Sequence, residues 1–155
     1  MRIFLGTDHA GFELKNQIKN YLHELGYEVN DEGAFEFDSN DDYPDFIEIV
    51  AKQVASDPDN HRGIIFGGSG QGEAIAANRQ LKVRAIVYYH HNLDIIKVSR
   101  LHNNSNILSI GARYITEAEA KEAIKVWLST DFSNEERHVR RLKKIEGDFV
   151  RELNF

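Results

Sequence analysis

Residues 63–79 constrain this chain more than any other stretch. Gly63-Ile64-Ile65-Phe66 is a short apolar run that reads as a buried strand. It passes directly into Gly67-Gly68-Ser69-Gly70-Gln71-Gly72, four glycines in six residues, then into Glu73 and an alanine-rich helix start reaching about Arg79. Such a turn lets backbone N–H groups close on an anion, because glycine carries no side chain to block the approach and accepts positive φ. A carboxylate beside an anion-stabilising loop is the minimum kit for moving a proton next to a carbonyl. The loop is not a Walker A loop, since no Gly-Lys-Ser/Thr follows, and its last glycine falls one residue early for G-x-G-x-x-G. Plainer readings stay open at this point: a tight turn for the glycines, and an ordinary first-turn carboxylate favoured by the helix dipole for Glu73.

The rest of the chain repeats the same strand-then-helix pattern. Arg2–Thr7 reads as a first strand, and Leu14, Ile18, Leu22 and Leu25 mark one face of a helix over residues 10–25 that Gly26 stops. Tyr27–Asn30 is a short second strand, followed by a polar, acidic loop over 31–43. Pro44 suits a first helical turn, and a stripe from Phe46 to Val54 carries that helix to about Ser56. Gly63–Phe66, Val83–Tyr88 and Asn106–Ile110 read as strands three to five, with Leu93–Leu101 helical between the last two. Thr116-Glu-Ala-Glu119 has the form of a capping box before a fifth helix. Residues 134–152 read as an additional, highly charged C-terminal helix. Alternating apolar strands and amphipathic helices predict an α/β fold: a three-layer α/β/α sandwich on a five-stranded parallel Rossmann-like sheet. With no linker or internal repeat, residues 1–155 read as a single domain.

Composition narrows the function classes. The net charge is −6, which argues against general nucleic-acid binding. Residues 137–144 nevertheless hold five Lys/Arg and no acid, a pattern suited to a small anion. There is no cysteine, hence no thiol nucleophile and no Cys-ligated metal. No histidine spacing matches a metal motif, so no metal is expected. No apolar run nears the ~20 residues that span a bilayer, and the first residues lack the pattern of a secretory signal. A cytoplasmic protein without membrane contact is expected.

In an open parallel sheet, ligands bind at the C-terminal ends of the strands. Asp8 and His9 follow the first strand, the glycine loop follows the third, and Arg113 follows the fifth. His102-Asn103-Asn104, at the end of the preceding helix, is counted with them. Asp8 also reads as an N-cap, and the two roles are compatible. Arg137 and Arg141 share one helix face. They read either as a solvated surface or as a phosphate clamp, since guanidinium groups grip phosphate through paired N–H donors.

Taken together, Gly6–Lys15, Asp42-Tyr43-Pro44, Gly67–Arg79, His102-Asn103-Asn104 and Arg137-His138-x-x-Arg141 resemble ribose-5-phosphate isomerase type B, a family that includes the galactose-6-phosphate isomerase subunits. The resemblance spans nearly the whole chain. It implies interconversion of an aldose phosphate and a ketose phosphate with no metal or organic cofactor. It also implies a homodimer, or a homotetramer built from dimers, with active sites shared between subunits. Many members carry a catalytic cysteine where this chain has Gly67. The chain looks like a second branch, Gly-Gly-Ser-Gly-x-Gly-Glu, in which the glutamate takes the proton.

On that resemblance the substrate is ribose 5-phosphate. Glu73 moves a proton between C2 and C1 through a cis-enediolate, and His102 assists ring opening. Asp8 engages a sugar hydroxyl, and Ser69 orients the base or substrate. Backbone N–H groups of Gly68, Ser69, Gly70 and Gly72 hold the enediolate oxygen. His9, Arg113, Arg137 and Arg141 hold the phosphate, with Tyr43 and Asn103 as further substrate contacts. Six-carbon sugar phosphates, or a non-catalytic phosphosugar-binding module, are the alternatives. A helix N-terminus lowers the pKa of Glu73 and burial raises it, so its ionisation is left open at this point.

Overall fold

The computed structural model describes the backbone of residues 1–152 and the side chains through Gly147; residues 153–155 of the expected domain lie outside the described residues. The elements are β1 (Arg2–Thr7), a 3-10 turn (His9–Gly11), α1 (Phe12–Glu24), β2 (Glu28–Asp31), α2 (Pro44–Ser56), β3 (His61–Gly67) and α3 (Gln71–Ala77). They continue with β4 (Ala85–Tyr88), α4 (Leu93–Leu101), β5 (Ile107–Gly111), α5 (Glu117–Ser129) and α6 (Glu136–Glu152). All five strands are parallel, in the order β2-β1-β3-β5-β4. The expected α/β sandwich is the observed fold.

Right-handed crossovers decide which helix covers which face. The chain steps one way from β1 to β2 and from β4 to β5, and the other way from β2 to β3 and from β3 to β4. Accordingly α1, α4 and α5 pack on one face, while α2 and α3 pack on the other. Side chains alternate between the two cores along each strand. Ile3, Leu5, Ile64, Phe66, Leu108 and Ile110 join the first core; Phe4, Ile65 and Ile107 join the second. Because both faces are covered, the strands read as continuous apolar runs.

Local polar contacts move several boundaries from their expected places. Asp8 caps the 3-10 turn, its carboxylate accepting from Ala10 N–H at 2.9 Å, so the α-helix proper starts at Phe12. Val83 and Asn106 fall outside the strands. The Asn106 side chain instead accepts from Arg84 N–H at 2.8 Å and donates to Lys82 O at 2.9 Å. The capping box forms as expected, with Thr116 N–H donating to the Glu119 carboxylate at 2.9 Å.

Two features place the loops that will matter. Beyond β2 the chain stays alongside β1, with Ala34 N–H donating to Thr7 O and Thr7 N–H to Gly33 O, both at 2.8 Å. Lys15, fully buried, pins this segment by donating to Asp31 at 2.7 Å and to Ala34 O at 2.6 Å. Gly6 and Gly63 let α2 sit close against the sheet; a Cβ at Gly63 would lie 2.9 Å from Ile107 Cγ1 and 3.0 Å from Val50 Cγ1. Overpacking of this kind costs about 1–3 kcal/mol. Gly63→Ala is expected to lower the urea-unfolding free energy by that amount with an unchanged m-value; an unaltered midpoint contradicts the close packing.

Candidate active site

Register brings the ends of three strands level. Thr7 pairs with Phe66, and Gly67 with Gly111. The chain leaves β1 toward one face and β3 toward the other, which opens a crevice between Asp8 and the glycine loop. Thr7, fully buried, ties the two strand ends together by donating from Oγ1 to Phe66 O at 3.0 Å. A cavity of about 360 Å³ opens there, bounded by Asp8, His9, Tyr43, Glu73, Arg113 and Tyr114. Asp8 is therefore both cap and cavity wall. A larger hollow of about 840 Å³ runs along α6, but it is lined from that helix and its approach alone and brings no separate elements together.

Each glycine of the loop makes room for something specific. A Cβ at Gly67 would overlap the Glu73 carboxyl. One at Gly68 would stand 3.2 Å from Arg113 Nη1, and one at Gly72 would stand 2.7 Å from the Tyr43 hydroxyl. Gly70 has φ of +76° as it turns the chain into α3, and its carbonyl accepts from Ser109 Oγ at 2.7 Å. The loop thus brings a carboxyl, a guanidinium and a phenol against bare backbone. Ser69 lies on the cavity wall, and its Oγ accepts only a long bond from Gln71 N–H at 3.3 Å.

Glu73 is 4% exposed. Burial, with the nearby charge of Asp8 adding to it, raises its pKa above the ordinary 4.5 against the opposing effect of a backbone N–H. Desolvation therefore outweighs that hydrogen bond. A carboxyl so placed holds its proton to a higher pH than a surface glutamate, the direction that suits a group taking and returning protons.

His9 is fixed from the acidic loop. Its Nδ1 donates to Asp41 Oδ1 at 2.6 Å, and its backbone N–H reaches the same oxygen at 3.0 Å. Among the described residues, Asp8, His9 and Asp41 are the one close group of three potential metal-ligating side chains. The 2.6 Å separation is that of a hydrogen bond; ligand atoms on one tetrahedral zinc stand about 3.3 Å apart.

Four candidates lie elsewhere in the chain. The turn His102-Asn103 ends α4 and precedes β5, so it stands at the N-terminal edge of the sheet, opposite Glu73. There His102 stacks on His138, with ring centroids 4.4 Å apart and planes 11° apart. Arg137 is exposed and pairs with Glu135 at 2.9 Å, and Arg141 is exposed on the same helix. Within one chain the structure unites Asp8, His9, Tyr43, Gly68, Ser69, Gly72, Glu73 and Arg113, and sets His102, Asn103, Arg137 and Arg141 apart.

Three residues were given no role from the sequence. His138 is 4% exposed, its Nε2 has no hydrogen-bond partner among the described residues, and burial beside His102 and Arg137 lowers its pKa. Its position between Arg137 and Arg141 was the available signal. Asp41 adjoins the Asp42-Tyr43-Pro44 motif but lies in a loop with no periodicity. Tyr114, one residue past Arg113, carried no signal.

The fold and this cavity define a parallel α/β protein with a buried carboxyl beside a glycine loop at a switch point. The chain belongs to the Ribose/Galactose Isomerase family, whose model matches residues 3–145. It is 42% identical over 142 residues to ribose-5-phosphate isomerase B of Mycolicibacterium paratuberculosis, covering 92% of this chain and 87% of that protein. The Escherichia coli enzyme of the same name is 35% identical, with 93% of each chain covered. Among solved structures, Mycoplasma genitalium ribose-5-phosphate isomerase B with bound ribulose 5-phosphate superposes with a TM-score of 0.92 at 34% identity, covering 96% of both chains. The Clostridium thermocellum isomerase B gives 0.90 at 37% identity, covering 98% of this chain and 99% of that one.

Gly67→Ala tests the packing that buries Glu73. The added methyl is expected to push the carboxyl toward solvent, so its pKa falls back toward 4.5. A carboxyl titration followed by NMR reads this directly, and an unmoved Glu73 resonance contradicts the geometry.

Proposed function

We propose that this chain interconverts ribose 5-phosphate and ribulose 5-phosphate, with Glu73 as the base. The observation that carries this reading is a buried carboxyl of raised pKa facing a switch-point cavity beside a glycine loop. It supports the branch in which glutamate replaces cysteine: the space a side chain at position 67 would fill is the space the Glu73 carboxyl occupies.

In this mechanism His102 relays a proton from the anomeric hydroxyl to the ring oxygen, opening the furanose to the aldehyde. Imidazole suits the step because its pKa lies near neutrality. Glu73 takes the proton from C2, and the electron pair moves through C1 onto O1. Amides of the Gly68–Gly72 loop and Ser69 stabilise that oxygen, while Asp8 and Tyr43 hold sugar hydroxyls. The O2 proton passes to O1, and Glu73 returns its proton to C1, giving the ketose. His9, Arg113, Arg137 and Arg141 hold the phosphate, so binding energy remote from the reacting carbons positions a weak C–H acid. Tyr114, paired edge-on with Tyr89 at a ring-centroid distance of 6.3 Å, lines the cavity. The chemistry calls for no metal or organic cofactor.

His102, Asn103, Arg137 and Arg141 act in this scheme from a second copy of the chain. Edge-to-edge placement in a single copy keeps them from Glu73, so the reading requires a homodimer with shared sites, whether or not dimers pair into a homotetramer. The substrate is a small metabolite and, among the described residues, no helix is long and apolar enough to cross a membrane; both fit a cytoplasmic enzyme without a nucleic-acid or membrane partner.

Glu73→Gln is expected to lower kcat on ribose 5-phosphate by ~10²–10⁴-fold; normal turnover removes Glu73 from the mechanism. The base works deprotonated, so kcat falls as pH drops through the raised pKa of Glu73. The acid limb is therefore expected above pH 4.5 in a pH–rate profile. Subunit sharing has its own test. Glu73→Gln and His102→Asn proteins, each inactive, are unfolded together and refolded. Mixed dimers rebuild one intact site and regain turnover; no recovery means that each chain carries its own complete site.

A further inference from the structure

His9 lines the cavity and gives one ring nitrogen to the protein. Nδ1 is committed to Asp41 at 2.6 Å, which leaves Nε2 as the free nitrogen on a residue that lines the cavity. Asp41 is not a casual surface partner. Its side chain is only 9% exposed, Oδ1 accepts both from the His9 ring and from the His9 backbone N–H, and Oδ2 is buried with no partner. A turn holds it there: Asp38 O accepts from Asp41 N–H at 3.1 Å, and the Asp38 carboxylate accepts from Asn40 N–H at 2.9 Å. The Phe37 ring stands edge-on to the imidazole, centroids 6.2 Å apart.

We infer that Asp41 is a positioning residue for substrate: its carboxylate orients the His9 ring and sets a negative charge against it, so that Nε2–H donates to the phosphate of the sugar. This rests on the sugar-phosphate reading of the cavity. The chemistry is selective. A neutral His9 bonded to Asp41 through Nδ1–H would turn a lone pair from Nε2 toward the phosphate, whereas an imidazolium turns a charged donor toward it. The surrounding charges agree in direction. Asp41, Asp8 at the end of β1, and Arg113 after β5 face the ring; the hydrogen bond from Asp41 and the charge of Asp8 raise its pKa against burial and Arg113. Glu73, from the start of α3, borders the same cavity. Asp41 thus acts one step behind the phosphate contact.

The test compares wild type, Asp41→Asn, His9→Gln and the double variant. Asparagine keeps an acceptor for Nδ1–H and removes the charge. In Asp41→Asn the midpoint of the His9 ring titration, followed by NMR, is expected to fall by about one pH unit. KM for ribose 5-phosphate is expected to rise about tenfold above the new midpoint and to match wild type below it. The loss falls on KM and not on kcat. Adding Asp41→Asn to His9→Gln is expected to change nothing further, because the effect passes through the ring. An unshifted His9 titration, a pH-independent loss, or additive losses in the double variant overturns the inference. Inorganic phosphate separates this from the reading of the site. If wild type turns over no sugar phosphate, the isomerase reading fails. The pair is then still judged by phosphate affinity, and equal binding by wild type and Asp41→Asn at pH 8 overturns it.

Discussion

The Glu73 carboxyl rests where a side chain at position 67 would be, and the site is built outward from that contact. Gly67 is the last residue of β3, level with Gly111 of β5 and next in line after the pairing of Phe66 with Thr7. A carboxyl packed on that backbone sits over the end of the central strand, flanked by the ends of both neighbours. Burial at this point raises its affinity for a proton, and the ends of β1 and β5 supply Asp8 and Arg113 around it. Remove the bare backbone and the carboxyl has to turn outward, losing both the desolvation that tunes it and the neighbours that share its cavity. The contact therefore couples two sequence choices, glycine at 67 and glutamate at 73, that look independent along the chain.

The sheet order explains why this is the right place for such a carboxyl. β3 lies at the centre, and the chain departs from it toward the face opposite to that taken from β1 and from β5. Crevices open on both sides of the glycine loop, and side chains from three separate segments can reach it. The fully buried Lys15, bonded to Asp31 and Ala34, extends the supply to a fourth. It anchors the start of the loop that returns with Asp41 and Tyr43. A buried ammonium is tolerable because its donors are taken by a carboxylate and a carbonyl.

Most of the fold was legible in the sequence because parallel strands covered on both faces are apolar runs, and the covering helices show a 3.6-residue stripe. Strand ends were less legible where side chains replace ladder bonds. Asn106 looks like the first residue of β5 but spends its amide on Lys82 and Arg84. In the site, Asp8, Glu73 and the glycines were visible because each follows a strand end. The reason for the glycines was only half visible: the sequence points to backbone N–H groups, whereas the structure adds the space they leave for Glu73, Arg113 and Tyr43. Asp41 was invisible, since its link to His9 spans 32 residues of chain and no periodicity marks the loop.

His102 shows a different limit. Its place beside the fifth strand is evident, but a turn that precedes a parallel strand lies at the edge opposite to a loop that follows one. Its stacking on His138 makes a second, separate cluster with its own chemistry: a buried imidazole whose Nε2 lacks a partner, with Arg137 and Arg141 on the same helix. An unpaired buried nitrogen is costly to leave unmatched. Within one chain Glu135 Oε2 stands 4.0 Å from that nitrogen, beyond hydrogen-bond reach, while the cavity at the other edge is lined by the carboxyls of Asp8 and Glu73. In the proposed dimer, two half-sites of this kind, one with Glu73 and one with cations and imidazoles, would complete each other between copies. The same edge-to-edge separation that divides the site within a chain makes two identical sites in a symmetric pair, because a two-fold operation that brings one half to its complement brings the other pair together as well.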